Sequence, residues 1–158
     1  MPRLHVPTGL RWSDLDAYGH VNNVAVARIL EEARIVVFWA DPDAVDSGSG
    51  TAVLDALHGS ETQSVLARQE IEYLQPIPYL RRPLDVQLWF AHIGGASMEL
   101  FYEIHSPAGS EEDVLFVRAS TTLVLVDAST GRPIRISDEA RAAWSGFMDE
   151  PIAFRRRF

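Results

Sequence analysis

Apolar residues switch from helical to alternating spacing at Gln63 of this chain of 158 residues, and that switch restricts the fold more than any other feature. Between Asn23 and Ala40 they recur at three- and four-residue steps, as Val26, Ile29, Leu30, Ala33, Val36, Val37 and Ala40, which is the spacing of an amphipathic helix. These positions fall within an arc of roughly 120°, with Arg28, Glu31, Glu32 and Arg34 on the other side. Asn22 and Asn23, both good N-cap types, mark the helix entry just after Gly19. Ile35, Phe38 and Trp39 interrupt the polar side of the last turn, which predicts a loop or a second subunit over that end.

From Gln63 onward the period is two. Val65, Ala67, Ile71 and Tyr73 share one side of a first strand, with Arg68, Glu70 and Glu72 on the other. Three further apolar faces follow: Leu84, Val86, Leu88 and Phe90; then Met98, Leu100, Tyr102 and Ile104; then Leu115, Val117, Ala119, Thr121, Leu123 and Leu125. Gly94-Gly95 and the longer Pro107–Glu112 segment read as hairpin connections, so neighbouring strands pair antiparallel. A sheet with one apolar face needs a covering layer, and the segment at 23–40 is the only long helix available. A short strand around His5–Trp12 and a short helix over Ser137–Phe147, with Ser137 or Asp138 near its N-cap, complete the pattern. The expected fold class is α+β, an antiparallel sheet wrapped around one long helix. A single domain spans 1–158, with a core over about 5–147 and a tail from 148 to 158.

Composition narrows the chemistry. At 47% hydrophobic residues, a chain of this length buries roughly 70% of its unfolded surface and needs no staples. It contains no cysteine, which excludes disulfides, thiolate metal sites and a cysteine nucleophile, and suits the reducing cytoplasm where the protein is expected. A net charge of -8 has the wrong sign for a nucleic-acid or anionic-membrane partner, and no stretch approaches a membrane span. The acidic segment Asp41–Gly50 places Val45 and Asp46 where a calcium loop needs a ligand and a glycine, so it reads as a surface loop. Ser49 in Gly48-Ser-Gly50 is too short a match to a nucleophile elbow, and no phosphate-binding glycine pattern occurs. His5, His58, His92 and His105 lack metal-ligand spacing, so neither metal nor organic cofactor is expected.

The segment Trp12–Asn23 stands apart. Asp14 and Asp16, Gly19, His20 and the paired asparagines crowd against a helix N-terminus, whose free N–H groups and dipole favour developing negative charge. An oxyanion held there gains about 3 kcal/mol per good donor, and a nearby carboxylate can attack a carbonyl or activate water. The same residue types also serve any loop that caps a helix, so spacing alone leaves both roles open.

Ser13-Asp-Leu-Asp-Ala-Tyr-Gly-His-Val-Asn-Asn23, followed by Leu30-Glu-Glu-Ala-Arg34, resembles the hotdog-fold acyl-CoA thioesterases of the 4-hydroxybenzoyl-CoA thioesterase-like group. Glu70–Tyr79, Ile93-Gly-Gly and Leu123–Pro133 are similar to the remaining strands of that family in order. The resemblance implies a hotdog that pairs into a homodimer or homotetramer, with active sites at the dimer interface. It implies an acyl-CoA substrate, with Asp16 as catalytic carboxylate, acting as nucleophile or general base. Backbone N–H groups around Asn23 would polarise the carbonyl, Gly19 would permit close approach, His20 would orient the loop, and Asp14 would be a loop or cap residue. Some relatives use a helix carboxylate instead, for which Glu31 or Glu32 would serve. For the CoA phosphates the sequence offers Ser97 in the turn between strands, then Arg81, Arg82, Arg118 and the Arg155–Arg157 run. A carrier-protein thioesterase and an acyl-binding hotdog without turnover are the competing readings.

Overall fold

The computed structural model describes residues 2–41, 43, 50–54 and 61–155. The sequence readings at Val45, Asp46, Ser49, His58, Arg156 and Arg157 lie outside these residues. Strand β1 (Leu4–Thr8) leads through a 3-10 turn at Trp12–Asp14 into helix α1 (Asn23–Phe38). Strands β2 (Thr62–Tyr73), β3 (Leu84–Ile93), β4 (Ser97–His105) and β5 (Leu115–Asp127) follow, then helix α2 (Asp138–Ser145). One five-stranded antiparallel sheet has the order β1-β3-β4-β5-β2.

Helix α1 starts where the sequence places it, because the Asn22 side chain accepts the Val24 N–H at 2.7 Å. Ile29, Leu30 and Ala33 are fully buried against the sheet. The facing layer is the predicted set from β3, β4 and β5, with Leu84, Val86, Leu88, Phe90, Leu100, Tyr102, Ile104 and Ala119 all inaccessible to solvent. Each large aliphatic side chain so buried contributes about 1.5–3 kcal/mol.

Three expectations change. Val36, assigned to the apolar arc, is 61% exposed, whereas Phe38 is buried. The cause is α2: Phe38 meets Phe90 and Trp144 edge-on, with centroids 5.6 and 5.0 Å away, and Trp144 donates from Nε1 to the Thr51 carbonyl at 2.9 Å. The last turn of α1 thus carries Phe38 into this aromatic cluster and leaves Val36 on the solvent side. Strand β2 lacks the predicted buried face: it is the sheet edge, its register shifts between Leu66 and Arg68, and Val65 and Leu66 are both largely exposed. The first strand ends at Thr8, before Gly9, so Trp12 belongs to the 3-10 turn instead.

The segment after Met148 is more than a tail. Its described part lies on the sheet face opposite α1, where Trp89 Nε1 donates to the Glu150 carbonyl at 2.8 Å, Phe154 stacks on Phe101, and Arg3 joins Asp149 at 3.2 Å. This cover explains why Trp89 and Phe101, which point away from α1, are nonetheless buried.

Candidate functional site

The loop between β1 and α1 folds back on itself as a small antiparallel ladder. Leu15 pairs with Val21, the Asp16 N–H donates to the His20 carbonyl at 2.8 Å, and the Asn22 N–H donates to the Asp14 carbonyl at 2.8 Å. At its tip the Gly19 N–H closes a turn onto the Asp16 carbonyl at 3.1 Å, with Gly19 at φ +77°. That backbone conformation disfavours any side chain, which is the local reason for glycine here.

Asp16 Oδ1 accepts the backbone N–H groups of Tyr18 (2.8 Å) and His20 (3.2 Å). Oδ2 has no hydrogen-bond partner among the described residues. The carboxylate is therefore aimed by its own turn while one oxygen stays open. At the other end of the ladder, the Asn23 N–H is unused among the described residues, since Asn22 captures Val24 instead. Asp16 and a free helix-terminal donor are carried by one internally hydrogen-bonded loop. His20 acts here through its backbone: its exposed ring makes no hydrogen bond among the described residues, and its main chain bridges to Pro78.

Asp14, only 2% exposed, ties the loop to α1. Its carboxylate accepts the Arg11 N–H at 2.7 Å and meets Arg28 Nη2 at 2.8 Å and Arg11 Nη2 at 3.3 Å. Burial pushes this carboxyl up, but the Arg11 amide and the two guanidinium groups together hold it below the usual carboxylate range. Arg28, on the second turn of α1, also grips Glu32 at 2.6 Å. Desolvation opposes its charge, yet the hydrogen bonds to Glu32 and Asp14 prevail and its pKa is raised. The sequence reading placed Arg28 on the side of the helix opposite the apolar arc; the signal that could have paired it with Asp14 is its position in the second turn of α1, close after the loop.

Around the loop lie exposed aromatic rings that sequence reasoning left out. Trp12 is 74% and Tyr18 85% exposed, and Trp12 packs edge-on against Tyr79 at 5.3 Å. Beside the base of the loop, Val21, Val26, Tyr73, Ile77 and Val117 line a cavity of about 250 Å³ between α1, β5 and the end of β2.

The model of the thioesterase-like superfamily matches residues 10–144. The chain belongs to that superfamily. Among curated proteins none matches this thioesterase-like chain in sequence. Among solved structures it is similar to the PA5185 protein of Pseudomonas aeruginosa, with 22% identity, a TM-score of 0.74, and 93% of this chain and 97% of that one covered. It is also similar to a Thermus thermophilus thioesterase complexed with coenzyme A and Zn, at 24% identity and TM-score 0.63, covering 95% and 96%. A third is the 1,4-dihydroxy-2-naphthoyl-CoA thioesterase of Synechocystis, at 16% identity and TM-score 0.69, covering 91% and 96%. The α+β architecture of this thioesterase-like protein, a sheet wrapped around one long helix, is the hotdog fold.

The residues expected to hold CoA are scattered within one chain of the thioesterase-like protein. Ser97 opens β4 at the hairpin end of the sheet, whereas the Asp16 loop follows Thr8, which pairs with Leu84 at the other end of β3. A ten-residue strand separates the two ends by about 30 Å. Arg118 points to the sheet face away from α1, with Nε 3.9 Å from Glu103. Arg155 sits on Glu72 at 3.6 Å. Arg82 lies just before β3, at the Asp16 end, and donates to the Ala108 carbonyl. Arg81 beside it is exposed and makes no ion pair among the described residues. Glu31 and Glu32 are exposed on α1, Glu32 tied to Arg28. Among the described residues no group of three or more His, Asp or Glu side chains is placed to hold a metal, and no helix is long and apolar enough to cross a membrane.

Proposed function

We propose that this protein is an acyl-CoA thioesterase in which Asp16 and the N-terminus of α1 cleave the thioester into a free acid and coenzyme A. The observation that carries the reading is the Asp16 carboxylate, pinned through Oδ1 by two backbone N–H groups while Oδ2 stays open, on the loop that also presents the unused Asn23 amide. The thioester oxygen docks on that amide, whose donor strength rises with the helix dipole. Asp16 either attacks the carbonyl carbon, expelling the thiolate and leaving a mixed anhydride that water then hydrolyses to the free acid, or takes a proton from a water that attacks the carbonyl, after which the C–S bond breaks and the thiolate leaves with that proton.

The two halves of the substrate site come together through a dimer. Strand β2 is a long exposed edge bearing Val65, Leu66 and Tyr73, the kind of edge that invites pairing with a second copy. Antiparallel pairing of two such edges sets the Thr62 end of one strand beside the Tyr73 end of the other. Because Ser97 pairs with Val124 near the Thr62 end, the partner's Ser97 is carried toward the Asp16 loop. Arg81 and Arg82 supply cations at that end for the CoA phosphates.

Thiol release from a panel of acyl-CoAs, with wild type and Asp16→Asn compared at equal folded content, tests the mechanism. The variant is expected to lose about a hundredfold or more in kcat; retention of wild-type turnover refutes the role of Asp16. A wild type that binds acyl-CoA and hydrolyses none of the panel is a binding protein.

A further inference from the structure

Arg28 and Arg34 on α1 both carry buried guanidinium N–H groups without a hydrogen-bond partner, but Arg28 is ion-paired to Asp14 and Glu32, whereas Arg34 makes no ion pair among the described residues. Arg34 projects from the third turn of α1 toward the sheet, where its guanidinium lies against the phenol of Tyr102. Tyr102 is fully buried, and its Oη is 2.8 Å from Thr121 Oγ1, itself 1% exposed. Burial pushes the Tyr102 hydroxyl up to about 12 against the pull of Arg34 and Thr121, so it stays neutral at any working pH. Arg34 Nη1 is buried with no hydrogen-bond partner, and among the described residues no carboxylate lies within ion-pair distance of the side chain. A buried, unused donor on a cation is costly and is normally met by an acceptor.

That acceptor has room to arrive. Arg34, Glu31, Ile35, Phe38, Leu66 and Leu123 line a cavity of about 260 Å³ between α1 and the β2–β5 edge. The cavity beside the Asp16 loop lies against the same elements, Val26 being eight residues upstream of Arg34 on α1. Eight helical residues rise about 12 Å, and helix side chains lean toward the N-terminus, which brings the guanidinium closer to the loop than its Cα. An acyl chain whose carbonyl rests at Asn23 therefore runs along this seam toward Arg34. Apart from Ser64 the rest of the lining is apolar, and the Glu31 carboxylate in it disfavours a second anion.

We infer that the seam between α1 and β2 selects acyl groups bearing a neutral oxygen acceptor, a hydroxyl or oxo group along the chain, received by Arg34 with the Tyr102–Thr121 pair behind it. This rests on the reading of the Asp16 loop as a thioester site.

The test is kcat/KM for acyl-CoAs matched in length, plain against hydroxyl-, oxo- and terminal carboxyl-bearing, walking the oxygen along the chain. Wild type is expected to favour one hydroxyl or oxo position by about tenfold, the worth of one charge-assisted hydrogen bond. In Arg34→Met that ratio falls toward one, and Thr121→Val lowers it in part; circular dichroism confirms that each is folded. Equal rates for plain and oxygenated chains, a preference for the carboxyl series, or a preference retained in Arg34→Met overturns the inference. So does an Arg34→Met variant whose only defect is loss of the oligomer, since the N–H then serves a subunit contact. Calorimetric titration with the corresponding free acids separates the two layers. If no thioester is cleaved but oxygenated acids still bind better and Arg34→Met abolishes the difference, the hydrolase reading fails and the selectivity stands; if they bind alike, the selectivity falls too.

Discussion

Replacing Asp14 by Ala removes more than one contact. The carboxylate joins the Arg11 N–H at 2.7 Å and Arg28 Nη2 at 2.8 Å, and it is 2% exposed. Breaking a buried ion pair by deleting one partner costs about 3–5 kcal/mol. Arg28, however, retains Glu32 at 2.6 Å and is 25% exposed, so screening and the surviving partner reduce the expected loss to about 2–3 kcal/mol. For a chain of this size each kcal/mol moves Tm by about 2–4 °C, which predicts a fall of about 4–12 °C at neutral pH. The loss must also depend on pH in one direction. The folded-state pKa of Asp14 is lowered, so its stabilisation is present above the unfolded carboxylate value of about 4 and disappears as pH falls through the depressed value. Thermal melts of wild type and Asp14→Ala across neutral and acidic pH should therefore converge at the acid end. A Tm within one degree of wild type at neutral pH, or a gap that does not close on acidification, refutes the claim that this ion pair fastens the loop to α1.

Other outcomes follow from the same coordinates. Gly19→Ala, at φ +77° with nothing near the added Cβ, should cost about 1–2 kcal/mol of backbone strain and no clash; a neutral Tm by calorimetry contradicts it. His105 contacts Glu103 at 3.1 Å and Asp113 at 2.8 Å, and the Glu103 hydrogen bond foremost, with Asp113, raises its pKa against desolvation. Its stabilisation is full below the unfolded value of about 6.5 and is lost as pH rises through the raised value. His105→Gln should flatten the stability profile in that window, whereas an unchanged slope in urea melts would show that the cluster with Glu103 and Asp113 contributes nothing.

The elements readable in advance were those whose pattern repeats. The apolar arc of α1 and the alternate residues of β3, β4 and β5 each declared a face, and those faces are buried except at Val36, at half-buried Leu115 and at Ala40, which lies exposed just past the end of the helix. Strand β2 was misjudged because alternation describes a strand with one covered side, and this one runs at the sheet edge with a register shift that breaks the alternation. Val36 was misjudged because its burial depends on which way α2 draws the last turn of α1. For the candidate site, Asp16, Gly19, His20 and Asn23 sit in one segment, so their proximity is a local property. Ser97, Arg82 and Arg118 come from segments far apart in the chain, and residue type alone does not say where in the fold each of them lies.

The sequence by itself determined the layers, the antiparallel pairing, the turn at Gly19 and the loop that carries Asp16 into a helix N-terminus. All of these arise from interactions within a few residues or from a period that any segment of the element displays. Only the tertiary structure decided that Asp14 is buried against Arg28, that the segment after Met148 covers Trp89 and Phe101, that Arg118 faces away from α1, and that Arg34 ends beside Tyr102 and Thr121 with an N–H to spare. Those outcomes depend on which face of one element meets which face of another. A charge reads the same in the sequence whether it ends in water, against a counter-ion or at the wall of a cavity.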